Sequence, residues 1–216
     1  MAPAAPPAKA YHHGDLRHAM LDAVAEVVRE HGIAQVSLRE VARRVGVSHS
    51  AAIHHFGNKA GLLTTFAAQG YVDMAETALA SISEAHPEDG PAMLEAAGRG
   101  YVRFALREPE RFQAMFELHH LRPDDPVFNA ARDTAYSLLS RAIGRCCEEG
   151  YIAPADAGTV GAAAWSLSHG LAALWISGRL GARIGQTDPE QLAEQVTRLF
   201  VDSVLRRTRE ARTVYE

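Results

Sequence analysis

Two serines, Ser37 and Ser48, restrict this chain more than any other feature: each heads a short apolar stripe, and Gly46 lies between the stripes. Ser37 is followed three residues later by Glu40, the S-x-x-E capping box, in which hydroxyl and carboxylate satisfy two unpaired amides reciprocally. The box predicts a helix over 38–45, stopped at Gly46, where a left-handed backbone angle is needed. Ser48 caps a second helix, predicted over 49–56 and closed by Gly57. Val41, Ala42 and Val45 line one face of the first helix, and Val47, Ala52 and Phe56 line the second. Ala42 is small where two helices must cross closely. The combination predicts a helix-turn-helix.

The remainder also reads as helix. Leu16, Met20, Ala23, Val24, Val27 and Val28 repeat at spacings of three and four, predicting a helix over 15–31 capped by Asp15 and stopped at Gly32. Further helices are predicted over 59–84, 91–107, 109–119, 127–148, 155–180 and 189–209, with stops at Pro, at Gly150 and at Gly181. Asp188-Pro189 is a cap and first-turn pair. No segment sustains strand alternation, so the fold class is all-α.

Composition narrows the class. The 216 residues are 47% hydrophobic, enough for a sizeable core, and no apolar run reaches the roughly 18 residues of a membrane span. Residues 1–10, MAPAAPPAKA, lack the basic start and apolar middle of a signal peptide and read as a disordered tail on a cytoplasmic protein. Cys146 and Cys147 are adjacent, a spacing that disfavours a disulfide; they read as helix packing, with Arg145 the nearby basic residue that a redox role would need. Net charge is −4, yet residues 1–60 hold seven Lys or Arg against five acids and seven of the eleven histidines. A mildly basic end on an acidic body fits a DNA-touching module joined to something else.

The histidines in GVSHSAAIHHF raise a metal site. His54 and His55 are neighbours on a helix and point about 100° apart, while His49 and His54 are five residues apart where four is needed. No Cys or acid interleaves them. The pairs His12-His13 and His119-His120 share the fault, so no metal and no other cofactor is expected. There is no phosphate-binding Gly loop, G-x-S-x-G, H-E-x-x-H or Cys/His pairing, so an enzyme is not expected.

The first sixty-odd residues resemble the TetR family of transcriptional repressors. The carrying residues are Ser37–Ser48 (SLREVARRVGVS), His54–Phe56, and Asn58, Lys59, Leu62 and Leu63. The opening Tyr11–Arg17 (YHHGDLR) resembles one branch, which often has a C-terminal ligand domain with W-x-x-x-H-G; here that is Trp165, His169 and Gly170. The resemblance implies a three-helix DNA-binding domain over 11–60 and a six-helix regulatory and dimerisation domain over 61–216. It implies a homodimer through the last two helices, a palindromic double-stranded operator, and release by a small, largely apolar effector. Matched position by position, Ser37, Arg39, His49, Ser50, His54, His55 and Lys59 occupy DNA-facing places, with Ser48 at the helix start that enters the groove. Ile53 departs from the family, which usually has a phosphate-contacting Tyr there; it is left to meet a thymine methyl or sugar. Ala60-Gly61 is a second departure, where an acid often follows the Lys, and it weakens the start of the fourth helix.

An effector pocket is expected among the middle helices. Its candidates are Phe104, Phe112, Met115, Phe116, His119, His120, Trp165, His169 and Trp175, although aromatics and Met at helical spacing also suit plain core. Likewise Leu192, Val196, Leu199, Phe200 and Val204, with the Ala/Gly-rich helix before them, suit either a dimer bundle or an ordinary core. Against the regulator stand a helical dimerisation module and a small-molecule binder without DNA binding; both predict no salt-sensitive DNA affinity.

Overall fold

Residues 13–185 and 188–215 are described by the structure, a computed structural model; side chains are described for 16–185 and 188–203. The tail read over 1–10, and Tyr11 and His12 after it, lie outside the described residues. Within them the fold is all-helical: α1 (His13–His31), α2 (Leu38–Val45), α3 (His49–Phe56), α4 (Lys59–Ala85), α5 (Gly90–Arg107), α6 (Pro109–Phe116), α7 (Pro126–Glu148), α8 (Ala157–Ile176), the single turn α9 (Gly181–Ile184) and α10 (Pro189–Tyr215). None of the described helices is long and apolar enough to cross a membrane.

Local chemistry sets most boundaries. The Glu40 amide donates to Ser37 Oγ at 3.2 Å, the Ala51 amide to Ser48 Oγ at 3.2 Å, and Gly46 ends α2 in the left-handed region at φ 76°. Asp89, Asp125 and Asp188 accept amides at the starts of α5, α7 and α10. Several expectations need correction, among them the end of the last helix, predicted at 209 and found at Tyr215. Asp15, read as a cap, falls inside α1, which begins at His13. The sixth stripe, over 109–119, ends at Phe116, because Glu117 leaves helical geometry (ψ 58°) and a 3₁₀ turn follows over Leu118–His120. The stripe over 155–180 stops at Ile176: Gly178 turns left-handed (φ 72°), and its amide, with that of Ser177, closes on the carbonyls of Trp175 and Ala173.

The chain divides into two compact units. The first comprises the described residues up to Phe66 together with His119–Arg122. Its core is the predicted α1 stripe, Leu16 to Val28, packed with Val36, Leu38, Val41, Ala42, Ala52 and Phe56 and, at the start of α4, Leu62, Leu63 and Phe66, all buried. Each of the Val, Leu, Met and Phe side chains contributes roughly 1.5–3 kcal/mol by leaving water, before entropic costs. Arg44, 18% exposed, fixes α2 to α1 by bonding Glu30 at 2.6 and 3.0 Å and Glu26 at 3.4 Å, while its Nε reaches Glu40 at 2.9 Å. Glu40 therefore commits its carboxylate to Arg43 and Arg44, and its expected partner, the Ser37 amide, is not among its bonds. Only half of the capping box forms.

The second unit holds Ala67–Leu118 and the described residues from Pro123 onward. α5 is its central helix, with α7, α8 and α10 packed around it. Gly100 of α5 meets Ala78 of α4 so closely that a β-carbon there would lie 2.6 Å from the Ala78 Cα. Arg103 ties three helices, bonding Glu84 of α4 at 2.9 Å and Glu190 of α10 at 3.1 Å.

Candidate nucleic-acid interface and interior cavity

The eight residues of α3 divide by face. Ala52 and Phe56, one turn apart, are buried and fasten the helix to the first unit. His49, Ser50, Ile53 and His54 share the other side at spacings of three, four and five, and all four are exposed. Ile53 is 46% exposed, so the departure from the family presents a large aliphatic group to solvent beside two histidines. Ser48 Oγ lies 2.9 Å from Ser50 Oγ, which links the cap to the exposed face. His55 is half-buried, its ring 5.7 Å from that of His54.

The cations near this face differ in their commitments. Arg43 and Arg44 are held by carboxylates, and both guanidiniums are correspondingly pushed above their ordinary range, in each case chiefly by the side-chain hydrogen bond. Lys59, expected to meet phosphate, donates from Nζ to the Ala34 carbonyl at 2.6 Å. Arg39 and Ser37 are exposed, and Arg39 makes no hydrogen bond or ion pair among the described residues. Sequence reasoning missed Arg122. Its amide donates to Thr64 Oγ1 at 2.8 Å, and its guanidinium to Asn58 Oδ1 at 2.9 Å, the same oxygen that caps α4 through the Gly61 amide at 3.0 Å. Arg122 lies 64 residues from Asn58 in the chain, so no local pattern announces the contact.

In the second unit four of the aromatic candidates, Phe112, Phe116, Trp165 and His169, form one connected cluster. The His169 ring lies 4.6 Å from Phe116, 5.2 Å from Phe112 and 6.1 Å from Trp165, and its Nδ1 is 3.0 Å from Tyr101 Oη. Burial lowers the His169 pKa and raises that of Tyr101, so both stay neutral. Trp165, one helical turn before His169, packs against the same cluster.

The cavity lies beside this cluster. It has a volume of about 60 Å³ and is lined from α4, α5, α7, α8 and α10. Trp165 is its sole wall residue among the sequence candidates. Phe104, Phe112 and Met115 are buried in the core without lining it, Trp175 is half-buried elsewhere on α8, and His119 and His120 group with the first unit. Tyr101, Tyr136, Ser168 and Thr197 line it and were not foreseen.

The comparisons with known proteins agree over both units. Residues 20–71 match the family described as "Bacterial regulatory proteins, tetR family", and residues 94–200 match "Tetracyclin repressor-like, C-terminal domain". The chain is 28% identical over 130 residues to the HTH-type transcriptional repressor AcnR of Corynebacterium glutamicum, an alignment spanning 59% of this chain and 61% of that repressor's length. Among solved structures it resembles a protein of unknown function from Rhodococcus sp. RHA1 (TM-score 0.75, 27% identity, 92% of this chain and 98% of that one). It also resembles the TetR family transcriptional regulator PfmR from Thermus thermophilus (TM-score 0.66, 22% identity, 87% and 97%), a likeness of fold.

Proposed function

The chain belongs to the TetR family of transcriptional regulators, and on that premise we propose that it is a repressor whose α3 enters the major groove of a palindromic operator and whose second unit binds a small effector that releases it. The observation that carries the reading is the division of α3: a buried Ala52/Phe56 side and an exposed side of His49, Ser50, Ile53 and His54. Side chains this short bring the helix N-terminus close to the DNA, where its amides favour phosphate. Arg39 supplies a phosphate contact, as do His55 and Lys59 if the Ala34 carbonyl releases the ammonium. Ser37 flanks them from the cap of α2. The similarity to the AcnR repressor supports repression as the sign of control.

In this reading residues 11–60 are the DNA head and 61–216 the regulatory body, of the branch whose motif is Trp165, His169 and Gly170. Two copies associate through α8 and α10. Leu199 (63% exposed) and Leu174 (45%) support this, since both are large apolar groups left in water by a single chain. Pseudo-palindromic half-sites follow from the two-fold axis.

The test begins with operator selection from random duplexes, then mobility shifts with Ser50→Ala and His54→Ala. Each is expected to cost about 1–3 kcal/mol, the worth of a direct base contact. If both variants bind like the parent, α3 is not the reading helix. A chain that selects no duplex at all is a dimerisation module or a binder of small molecules alone.

A further inference from the structure

The cavity identifies its occupant by charge, size and one hydroxyl. Among the described residues its walls carry no charged side chain. A carboxylate or ammonium entering it would leave water with no counter-ion, a cost that burial does not return. Two of the polar groups on the wall are committed: Thr197 Oγ1 donates to the Ala193 carbonyl at 2.8 Å, and Tyr101 Oη lies 3.0 Å from His169 Nδ1, while the Tyr136 ring packs edge-on against Tyr71 and Trp165. Ser168 differs. It is 6% exposed, lines the cavity, and its hydroxyl makes no hydrogen bond among the described residues. A buried hydroxyl with an open donor and two lone pairs is suited to receive one polar atom.

Size follows from the volume. About 60 Å³ accommodates roughly four to six water-sized spheres, at 10–15 Å³ each. Tyr136, Leu139 and Trp165 form a common wall between this cavity and a second, wider space of about 560 Å³ between α7 and α8, floored by Gly144, Gly158 and Gly161. Trp165 is 39% exposed, so it is the part of that wall with room to move.

We infer that the cavity binds a small uncharged molecule with a single hydrogen-bonding group, such as an aliphatic alcohol or ketone of about five heavy atoms, with that group on Ser168 and with Trp165 setting the upper limit of length. This rests on reading the second unit as effector-binding and names the chemistry of that site.

Calorimetric titration of the full chain without DNA tests it, using n-butanol, butyrate and n-butylamine as probes of one shape and three charges. n-Butanol is expected to bind saturably, and the two ions at least about tenfold more weakly. Ser168→Ala should weaken n-butanol by about two- to tenfold, the value of one hydrogen bond. Ala97→Leu, which fills the cavity from α5, should abolish binding, with a cooperative melt reporting that the variant folds. Along a series from n-propanol to n-octanol, affinity in the parent should peak near five heavy atoms, and Trp165→Ala should move the peak to longer chains. Equal binding of butyrate, undiminished binding in Ser168→Ala or folded Ala97→Leu, or no binding of any alcohol would overturn the inference. Loss of operator selection with alcohol binding intact would instead sink the repressor reading and leave the cavity's chemistry standing.

Discussion

Gly61 shows how one residue is fixed by contacts that its neighbours in sequence do not reveal. A β-carbon there would lie 2.1 Å from the Phe56 carbonyl oxygen and 2.9 Å from the Arg122 guanidinium. The backbone oxygen cannot retreat without moving the end of α3, so Gly61→Ala is expected to destabilise the first unit by about 1–3 kcal/mol. Gly144, inside α7, is the control: a β-carbon there meets nothing within 4 Å, and Gly144→Ala should stabilise by about 0.4–1 kcal/mol. Urea unfolding of both variants measures the difference, and equal midpoints would refute the packing account. The sequence reading took Ala60-Gly61 as a weakened helix start. The structure makes Gly61 a condition of the tight α3–α4 junction, with Asn58 supplying the cap. Ser37, Ser48 and Gly46 were legible because a cap is satisfied within three or four residues. Arg122 was not, because its partners Thr64 and Asn58 lie 58 and 64 residues away; the same distance hid the Arg122 side of Gly61, and Ser168 was hidden because the other walls of its cavity come from four other helices.

At the scale of elements, α1 and α2 are joined by charge as well as by core. Hydrogen bonds from Arg43 and then Arg44 hold the Glu40 carboxyl down at about 2, against an ordinary 4.5, and Arg44 likewise lowers Glu30. A carboxyl depressed in the folded state adds stability that is fully present above its unfolded value and fades as pH falls through the folded one. The contribution of Glu40 is therefore complete above about pH 5, declines between pH 4.5 and 2, and is absent below. Glu40→Gln should be less stable than the parent at pH 7, and the gap should close as pH approaches 2. Thermal melts of the two proteins at half-unit steps from pH 6 to 2.5 check this. A gap independent of pH would show that packing, not the ion pairs, carries the effect. The elements themselves were readable from stripes and breakers, and the misplaced ends have one cause. Gly178 rather than Gly181 stops α8, and Glu117 stops α6, because the chain takes its turn where tertiary packing demands it, and periodicity continues past that point.

Across the whole molecule, a net charge of −4 is compatible with the proposed DNA-facing head because the cations there are unequally available. Arg44 and Arg43 are engaged in holding α2 in place, so their positive charge is largely cancelled where it stands. Arg39 is exposed and without such a partner among the described residues, and it sits on the same short helix. Arg39 and Arg43 are four residues apart and chemically identical, so counting basic residues in the sequence cannot separate them; only the carboxylates that surround them do. The distinction yields a measurement. Each phosphate contact releases about one counter-ion, and the slope of log affinity against log salt counts them. Arg39→Ala should reduce that slope by about one per protomer, hence about two in a dimer on a palindromic site, and weaken all duplexes alike. Arg43→Ala should leave the slope within about half a unit, since the charge removed was already paired with Glu40. Anisotropy titrations from 50 to 300 mM salt, on the selected operator and on a scrambled duplex, compare the two variants directly. If Arg43→Ala flattens the slope and Arg39→Ala does not, the DNA meets the molecule on a different face from the one that α3 presents.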